Sequence, residues 1–255
     1  MARRFGELGA DVALTGRRPE PLEATAEEIR ALGRRAVAAP ADVRDPEAVE
    51  AALVRAVEAI GEPDILVNNA AGNFLCPTED LSSRAFAAVV GIVLQGTFHC
   101  TQAAARRWLA GGRKGSVLSI VTTYAETGSA YVLPSACAKA GVVALTRSLA
   151  VEWGARGIRL NAIAPGPIPT EGAFSRLVPD PSWAEERARR IPAGRLGTPE
   201  ELAELAAFLV SDAADWIRGE VIVIDGGEWL RGAGQFSDLL DHAIDWNALR
   251  GRARG

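Results

Sequence analysis

Short apolar runs alternate along the chain with longer stretches in which apolar residues recur every three or four positions. The runs Val12–Thr15, Val37–Ala39, Ile65–Val67, Val117–Ile120, Ile158–Ala162 and Val221–Ile224 have strand length, and the stretches between them have helical periodicity. Asp45-Pro46 supplies an N-cap and a first-turn proline, after which Val49, Leu53, Val57 and Ile60 follow along one helix face. Thr198-Pro199-Glu200-Glu201 reads as a capping box opening a helix that turns Leu202, Leu205 and Leu209 inward. Repeated strand and helix units predict an α/β fold, a doubly wound and mostly parallel sheet with helices on both faces.

The beginning and one late segment depart from this alternation. A dinucleotide-binding sheet normally opens with a strand, a glycine-rich turn and a helix, because the pyrophosphate needs close backbone N–H groups. Here "MARRFGELGADVALTGRR" reads as the last turns of a helix, a Gly9 C-cap and a second strand ending at Thr15. The expectation is that the first strand is absent from this chain and that Met1, the sole methionine, is internal to a longer one. Residues 1–255 would then form one N-terminally incomplete domain. Gly166–Arg195 holds no strand pattern and mixes proline, glycine and aromatic residues. An insertion after a late strand lies where ligands bind, so residues of about 166–195 are a candidate substrate lid, with a surface excursion as the alternative.

Composition narrows the function classes. A chain of 255 residues with 48% hydrophobic and 24% charged content can bury a single sizeable core. Its net charge of −4 and scattered arginine pairs argue against nucleic acid. No uninterrupted apolar run approaches the about 18 residues of a membrane span and no leader pattern opens the chain, so the expectation is a cytoplasmic protein without membrane contact. Cys76, Cys100 and Cys137 form no CxxC pair, which argues against a disulfide framework and a metal site. The two histidines, His99 and His242, lie near no glycine-flanked nucleophile, which sets hydrolases aside.

After "DVALTG" come Arg17 and Arg18, where a site for NAD tends to carry an acid for the ribose 2′-hydroxyl. Two arginines suit a 2′-phosphate and point to NADPH, the alternative being two solvated arginines that start a helix. Asp42, at the end of the next strand, could contact the adenine or cap the turn before Asp45.

"ILVNNAAG" (Ile65–Gly72), "SACAKAG" with Lys139, "IRLNAIAPGPI" (Ile158–Ile168) and "VIDGG" (Val223–Gly227) together resemble the short-chain dehydrogenase/reductase superfamily over nearly the whole chain. The resemblance implies a Rossmann-type fold. It places Asn69, Ala70 and Gly72 beside the adenine ribose, puts Pro165, Gly166, Pro167 and Ile168 at the nicotinamide end, and has Lys139 hold the nicotinamide ribose. It also implies a homotetramer, as is common among members.

Departures from that pattern carry more information than the matches. The superfamily commonly uses a tyrosine four residues before the lysine, a serine thirteen before that tyrosine and an asparagine in the preceding helix. Those places hold Ser135, Thr122 and Val93. The same departures mark the 2,4-dienoyl-CoA reductase branch, which "NNAAGNF", "IVLQGT", "YAETGS", "PSACAKAG" and "PGPIPTEGAFSRL" resemble. That likeness implies Tyr124 as the working tyrosine, Asn73 as its partner and Ser135 as a further member of the network. It also implies acyl-CoA contacts at Arg44, Phe74, Ser82 and Arg176.

The relocation has a chemical rationale. In carbonyl reduction the acid must sit next to the nicotinamide, because hydride lands on the carbon bonded to the protonated oxygen. In a conjugated dienoyl thioester, charge collects on an oxygen several bonds from the carbon that takes hydride. An oxyanion hole from the Tyr124 hydroxyl and the Asn73 amide answers that need, each such donor being worth about 3 kcal/mol of barrier. The bland alternatives are a locally satisfied aromatic at Tyr124, a turn-forming asparagine at Asn73, a snorkelling Lys139, surface arginines at Arg44 and Arg176, a core Phe74 and a helix cap at Ser82. Tyr131 is the rival tyrosine. The expected activity is NADPH-dependent reduction of 2,4-dienoyl-CoA to 3-enoyl-CoA in unsaturated fatty-acid β-oxidation. The alternatives are a carbonyl or alcohol oxidoreductase and a non-catalytic protein binding acyl-CoA or a partner.

Overall fold

The computed structural model describes residues 1–170 and 181–243. Its strands are β1 (Val12–Leu14), β2 (Ala36–Ala38), β3 (Ile65–Asn68), β4 (Gly115–Ile120), β5 (Ile158–Pro165) and β6 (Val221–Ile224). Ten helices accompany them among the described residues: α1 (Ala2–Glu7), α2 (Pro19–Ala31), α3 (Pro46–Ile60), α4 (Ser83–Val90), α5 (Gly96–Ala110), α6 (Tyr124–Thr127), α7 (Leu133–Gly154), α8 (Pro181–Arg190), α9 (Pro199–Val210) and α10 (Glu228–Ala233). All strand pairs are parallel.

The central strands β4 and β5 are buried on both faces, which explains why they read as continuous apolar runs. Alternate residues serve opposite layers. Leu118, Ile120 and Ile163 pack with Ala206, Leu209 and Val210 of α9 and with Met1 and Phe5 beside them. On the other face Val117, Ile158 and Leu160 pack against Trp108 of α5 and Ala150 of α7. The helix signals hold locally: Asp45 accepts from the backbone of Glu47 and Ala48, and Thr198 with Glu201 forms the reciprocal capping box.

Four features go beyond the expected pattern. The strands form two separately bonded groups, β1-β2 and β3-β4-β5-β6. Helix α1 ends at Glu7 with Leu8 as its cap, and Gly9 follows at φ +100°, a left-handed turn that suits glycine. The expected lid contains a helix, α8, whereas residues 171–180 lie outside the described ones. Finally, α4 and α5 are joined by a π-turn, Gly91–Gln95, into one helix, Ser83–Ala110, long and apolar enough by length and composition to cross a membrane. Its small and apolar side instead packs into the α/β layers, with Val93 and Trp108 fully buried.

Arg159 of β5 is the main polar intrusion into the core. It is 5% exposed, and its guanidinium donates to the carbonyls of Leu209, Val210, Ser211 and Ala214, groups a helix C-terminus leaves unsatisfied. Replacing Arg159 with Met should cost about 3 kcal/mol by stranding these carbonyls. Urea denaturation measures this, and an unchanged midpoint would contradict it.

Candidate active site

The site grows from the carboxyl ends of β4 and β5, which lie side by side with Ile120 in register with Ile163. Three residues separate the end of β4 from α6, and Tyr124 heads that short helix. Pro134 in the first turn of α7 starts the helix that sets Ser135 and Lys139 one turn apart on a buried face.

Three of the expected residues meet. The Asn73 amide donates to the Tyr124 hydroxyl oxygen at 3.1 Å, and that oxygen lies 3.1 Å from Ser135 Oγ. The Asn73 side-chain carbonyl accepts from the Phe74 N–H at 2.9 Å, which fixes which edge of the amide faces the tyrosine. Two donors remain for a ligand oxygen: the phenolic proton, otherwise shared with Ser135, and the second Asn73 N–H. Tyr131, the rival, is 60% exposed at φ +64°, and its backbone carbonyl accepts from Cys76 N–H. It holds the Asn73 loop through its backbone rather than through its phenol.

Lys139 is 6% exposed, and its ammonium donates to the carbonyl of Ile120. Burial lowers its pKa to about 8. This amine, near the strand ends, is the expected partner of a ribose.

Among the residues expected at the adenosine end, Arg17 is exposed just after β1, and Arg18 is the N-cap residue of α2. Asp42 is held down to about 2, first by hydrogen bonds from Arg44 and last by the charge of Arg17. Arg44 grips Asp42 with Nε at 3.0 Å and Nη2 at 2.5 Å. Asn69 and Ala70 are exposed, and Gly72 faces Ile92 of the π-turn. Pro165 closes β5, Gly166 N–H donates to the Ile224 carbonyl, and Gly197 N–H donates to that of Pro167. A Cβ on Gly166 would stand 2.6 Å from that of Asp225, so only glycine lets this turn seat on the end of β6. Ile168 packs beside Gly197.

The expected acyl-CoA residues are more scattered in role. Phe74 packs against the cluster of Val89, Val93 and Val121, Ser82 caps α4 by accepting from Ala85 N–H at 3.2 Å, and Arg176 lies outside the described residues. Two residues escaped sequence reasoning. The Thr122 hydroxyl is buried without a hydrogen-bond partner among the described residues, a state that invites a ligand atom. Its signal was its place at the superfamily's serine. His99 bonds Val43 between Asp42 and Arg44, and nothing in the sequence pattern marked it.

The donor set suits both ends of a nicotinamide dinucleotide: charged groups at the adenosine end, and a buried amine with an unpartnered hydroxyl at the strand ends. The chain matches a family model described as Enoyl-(Acyl carrier protein) reductase over residues 1–228. A crystal structure of a short chain dehydrogenase from Bacillus anthracis is 44% identical, covers 89% of this chain and 90% of its own, and has a TM-score of 0.80. The chain belongs to the short-chain dehydrogenase/reductase family. It is therefore an oxidoreductase with that family's parallel sheet between helical layers.

Within the family, a Bacillus subtilis protein named probable 2,4-dienoyl-CoA reductase, (2E)-enoyl-CoA-producing, is 49% identical over 90% of this chain and 91% of its own. A Caenorhabditis elegans protein named probable 2,4-dienoyl-CoA reductase 3, (3E)-enoyl-CoA-producing, is 42% identical over 99% and 85%. A gluconate 5-dehydrogenase from Burkholderia cenocepacia, crystallised with NADP and tartrate, is 33% identical, with a TM-score of 0.83 over 90% of this chain and 89% of that one.

The lowered pKa of Lys139 has a consequence for stability. Between about 8 and the ordinary 10.5, the unfolded lysine holds a proton that the folded one has released. Stability therefore rises with pH across that window. Relative to a Lys139→Met variant, the native chain should gain stability from the lower to the upper end. Urea melts at both ends measure it, and a constant difference would contradict it.

Proposed function

We propose that this oxidoreductase reduces 2,4-dienoyl-CoA thioesters with NADPH, yielding 3-enoyl-CoA in the breakdown of unsaturated fatty acids. The observation that carries the reading is the Asn73–Tyr124–Ser135 network, in which a serine occupies the lysine's neighbouring turn and the phenol comes from α6. Relatives named for dienoyl-CoA substrates and an NADP-bound structural neighbour support it.

Bound NADPH supplies hydride to the distal carbon of the diene. The residues of this chain manage the charge that follows. Tyr124 O–H and the free Asn73 N–H point donors at the thioester oxygen, and such preorganised donors act most strongly where charge develops. Ser135 holds the phenol in register. Lys139 orients the nicotinamide ribose, and Arg17 with Arg18 meets the 2′-phosphate.

Protonation of the dienolate at C2 gives the 3-enoyl product, and protonation at C4 gives the 2-enoyl product. A phenol clamped on the thioester oxygen stands beside C2, which favours 3-enoyl. The Bacillus relative's name favours the second reading, with C4 protonated by another acid.

The test is NADPH consumption with 2,4-dienoyl-CoA against 3-oxoacyl-CoA, with the double bond of the product located by NMR. Turnover of the dienoyl substrate alone, giving the 3-enoyl product, is expected. Preference for the 3-oxo substrate would overturn the reading in favour of a carbonyl reductase, and lack of nucleotide binding would favour a non-catalytic binding protein. Tyr124→Phe should lower kcat about a hundredfold or more while NADPH affinity stays nearly unchanged, with Ser135→Ala milder. An unchanged kcat in Tyr124→Phe would refute the assignment.

A further inference from the structure

One short loop, Asp42-Val43-Arg44, carries Asp42, read above as an adenine contact or a turn cap, and Arg44, read as an acyl-CoA contact; the two are paired, and Asp42 also caps the turn by accepting from Arg44 N–H. The side chains of Asp42 and Arg44 are partly exposed, while Val43 between them is buried and the backbone is held from beneath. Helix α5 comes so close that a Cβ on Gly96 would stand 2.5 Å from Val43 Cγ2, and the aliphatic stem of Arg44 lies over Gly91 at the start of the π-turn. His99, one turn into α5, places Nδ1 2.9 Å from the Val43 carbonyl. A carbonyl only accepts, so the ring nitrogen carries the proton and donates.

The same π-turn reaches the rest of the site. Ile92 meets Gly72 of the adenine-ribose loop, Leu94 meets Gly141 of α7, and Val93 shares a core cluster with Ala138 next to Lys139. An inserted π-turn rotates successive residues onto different neighbours, which a regular helix would not do. Beside the packing of Val43 on Val49 and Ala103, the contacts of Gly96 and His99 tie the loop to α5.

We propose that His99 is a positioning residue for both ligands at once: through the Val43 carbonyl it fixes the loop from which Asp42 reaches the cofactor and Arg44 reaches the acyl-CoA. This rests on the reading given under the proposed function. His99 touches neither the Tyr124 network nor Lys139, so loss of its bond loosens binding and leaves the chemistry intact. Because the two contacts share one loop, both affinities fall together.

The experiment is steady-state kinetics with NADPH and 2,4-hexadienoyl-CoA on the full chain, the His99→Phe variant and the His99→Asn variant. Phe keeps the ring's bulk without an N–H, whereas the Asn amide can place an N–H near the position of Nδ1. His99→Phe should raise the KM of both substrates in parallel by about fivefold, the worth of one hydrogen bond, with kcat unchanged. His99→Asn should restore both. Thermal melts accompany the kinetics, and His99→Leu replaces His99→Phe if that variant does not fold. A lower Tm with both KM values unmoved, a rise in only one KM, or no rescue by Asn would overturn the inference while the proposed function stands. An unmutated chain that turns over no dienoyl-CoA would overturn both.

Discussion

Burying β4 and β5 on both faces imposes one constraint on everything around them: no water reaches the strands, so each polar group at their edges and ends needs a partner from the protein. The chain meets this with few side chains. Arg159 satisfies the carbonyls that close α9, and Asn161 ties the turn before β6 to β5 through Ile217 and Glu220. Lys139 takes the Ile120 carbonyl, where β4 ends. The site begins where this satisfaction stops. Among the described residues, the Thr122 hydroxyl beyond Ile120 has no hydrogen-bond partner, the Tyr124 phenol can share its proton only with Ser135, and the Asn73 amide uses one of its two N–H groups.

Geometry then separates two tasks that family members with a tyrosine beside the lysine keep together. Ser135 is one turn from Lys139, a small side chain where those members carry the tyrosine. The phenol arrives from α6, steadied from one side by Asn73 and from the other by Ser135. A donor carried on α6 rather than on the lysine's own helix suits a substrate whose charge appears several bonds from where hydride is received. The proposed chemistry rests on this change of element more than on any one residue type.

Much of this was legible in residue order because it depends on local rules. The N-cap at Asp45, the capping box at Thr198 and Glu201, and the apolar runs of β4, β5 and β6 are short-range signals, and the structure places them within a few residues of expectation. The approach of Asn73 and Tyr124, fifty-one positions apart, was inferred by resemblance and is visible only in three dimensions. Other features had no local signal. Arg44 reads as an acyl-CoA contact or a surface arginine with no sign of its pairing with Asp42, and His99 as a stray histidine until Val43 lies beneath it. The π-turn is invisible because "GIVLQG" has ordinary helical periodicity, and its cause is tertiary: Gly91, Ile92, Leu94 and Gly96 each face a different neighbour. The division of the strands into two groups likewise reflects which edges find partners, not the character of any strand.

The central claim is that Tyr124 and Asn73 act as one device on one oxygen. A double-mutant cycle on kcat, using Tyr124→Phe, Asn73→Ala and their combination with 2,4-dienoyl-CoA, tests it most directly. Groups acting as a unit lose their function together, so the combined variant should be little slower than the worse single one. Losses that multiply independently would show that the two residues serve separate roles and would contradict the account.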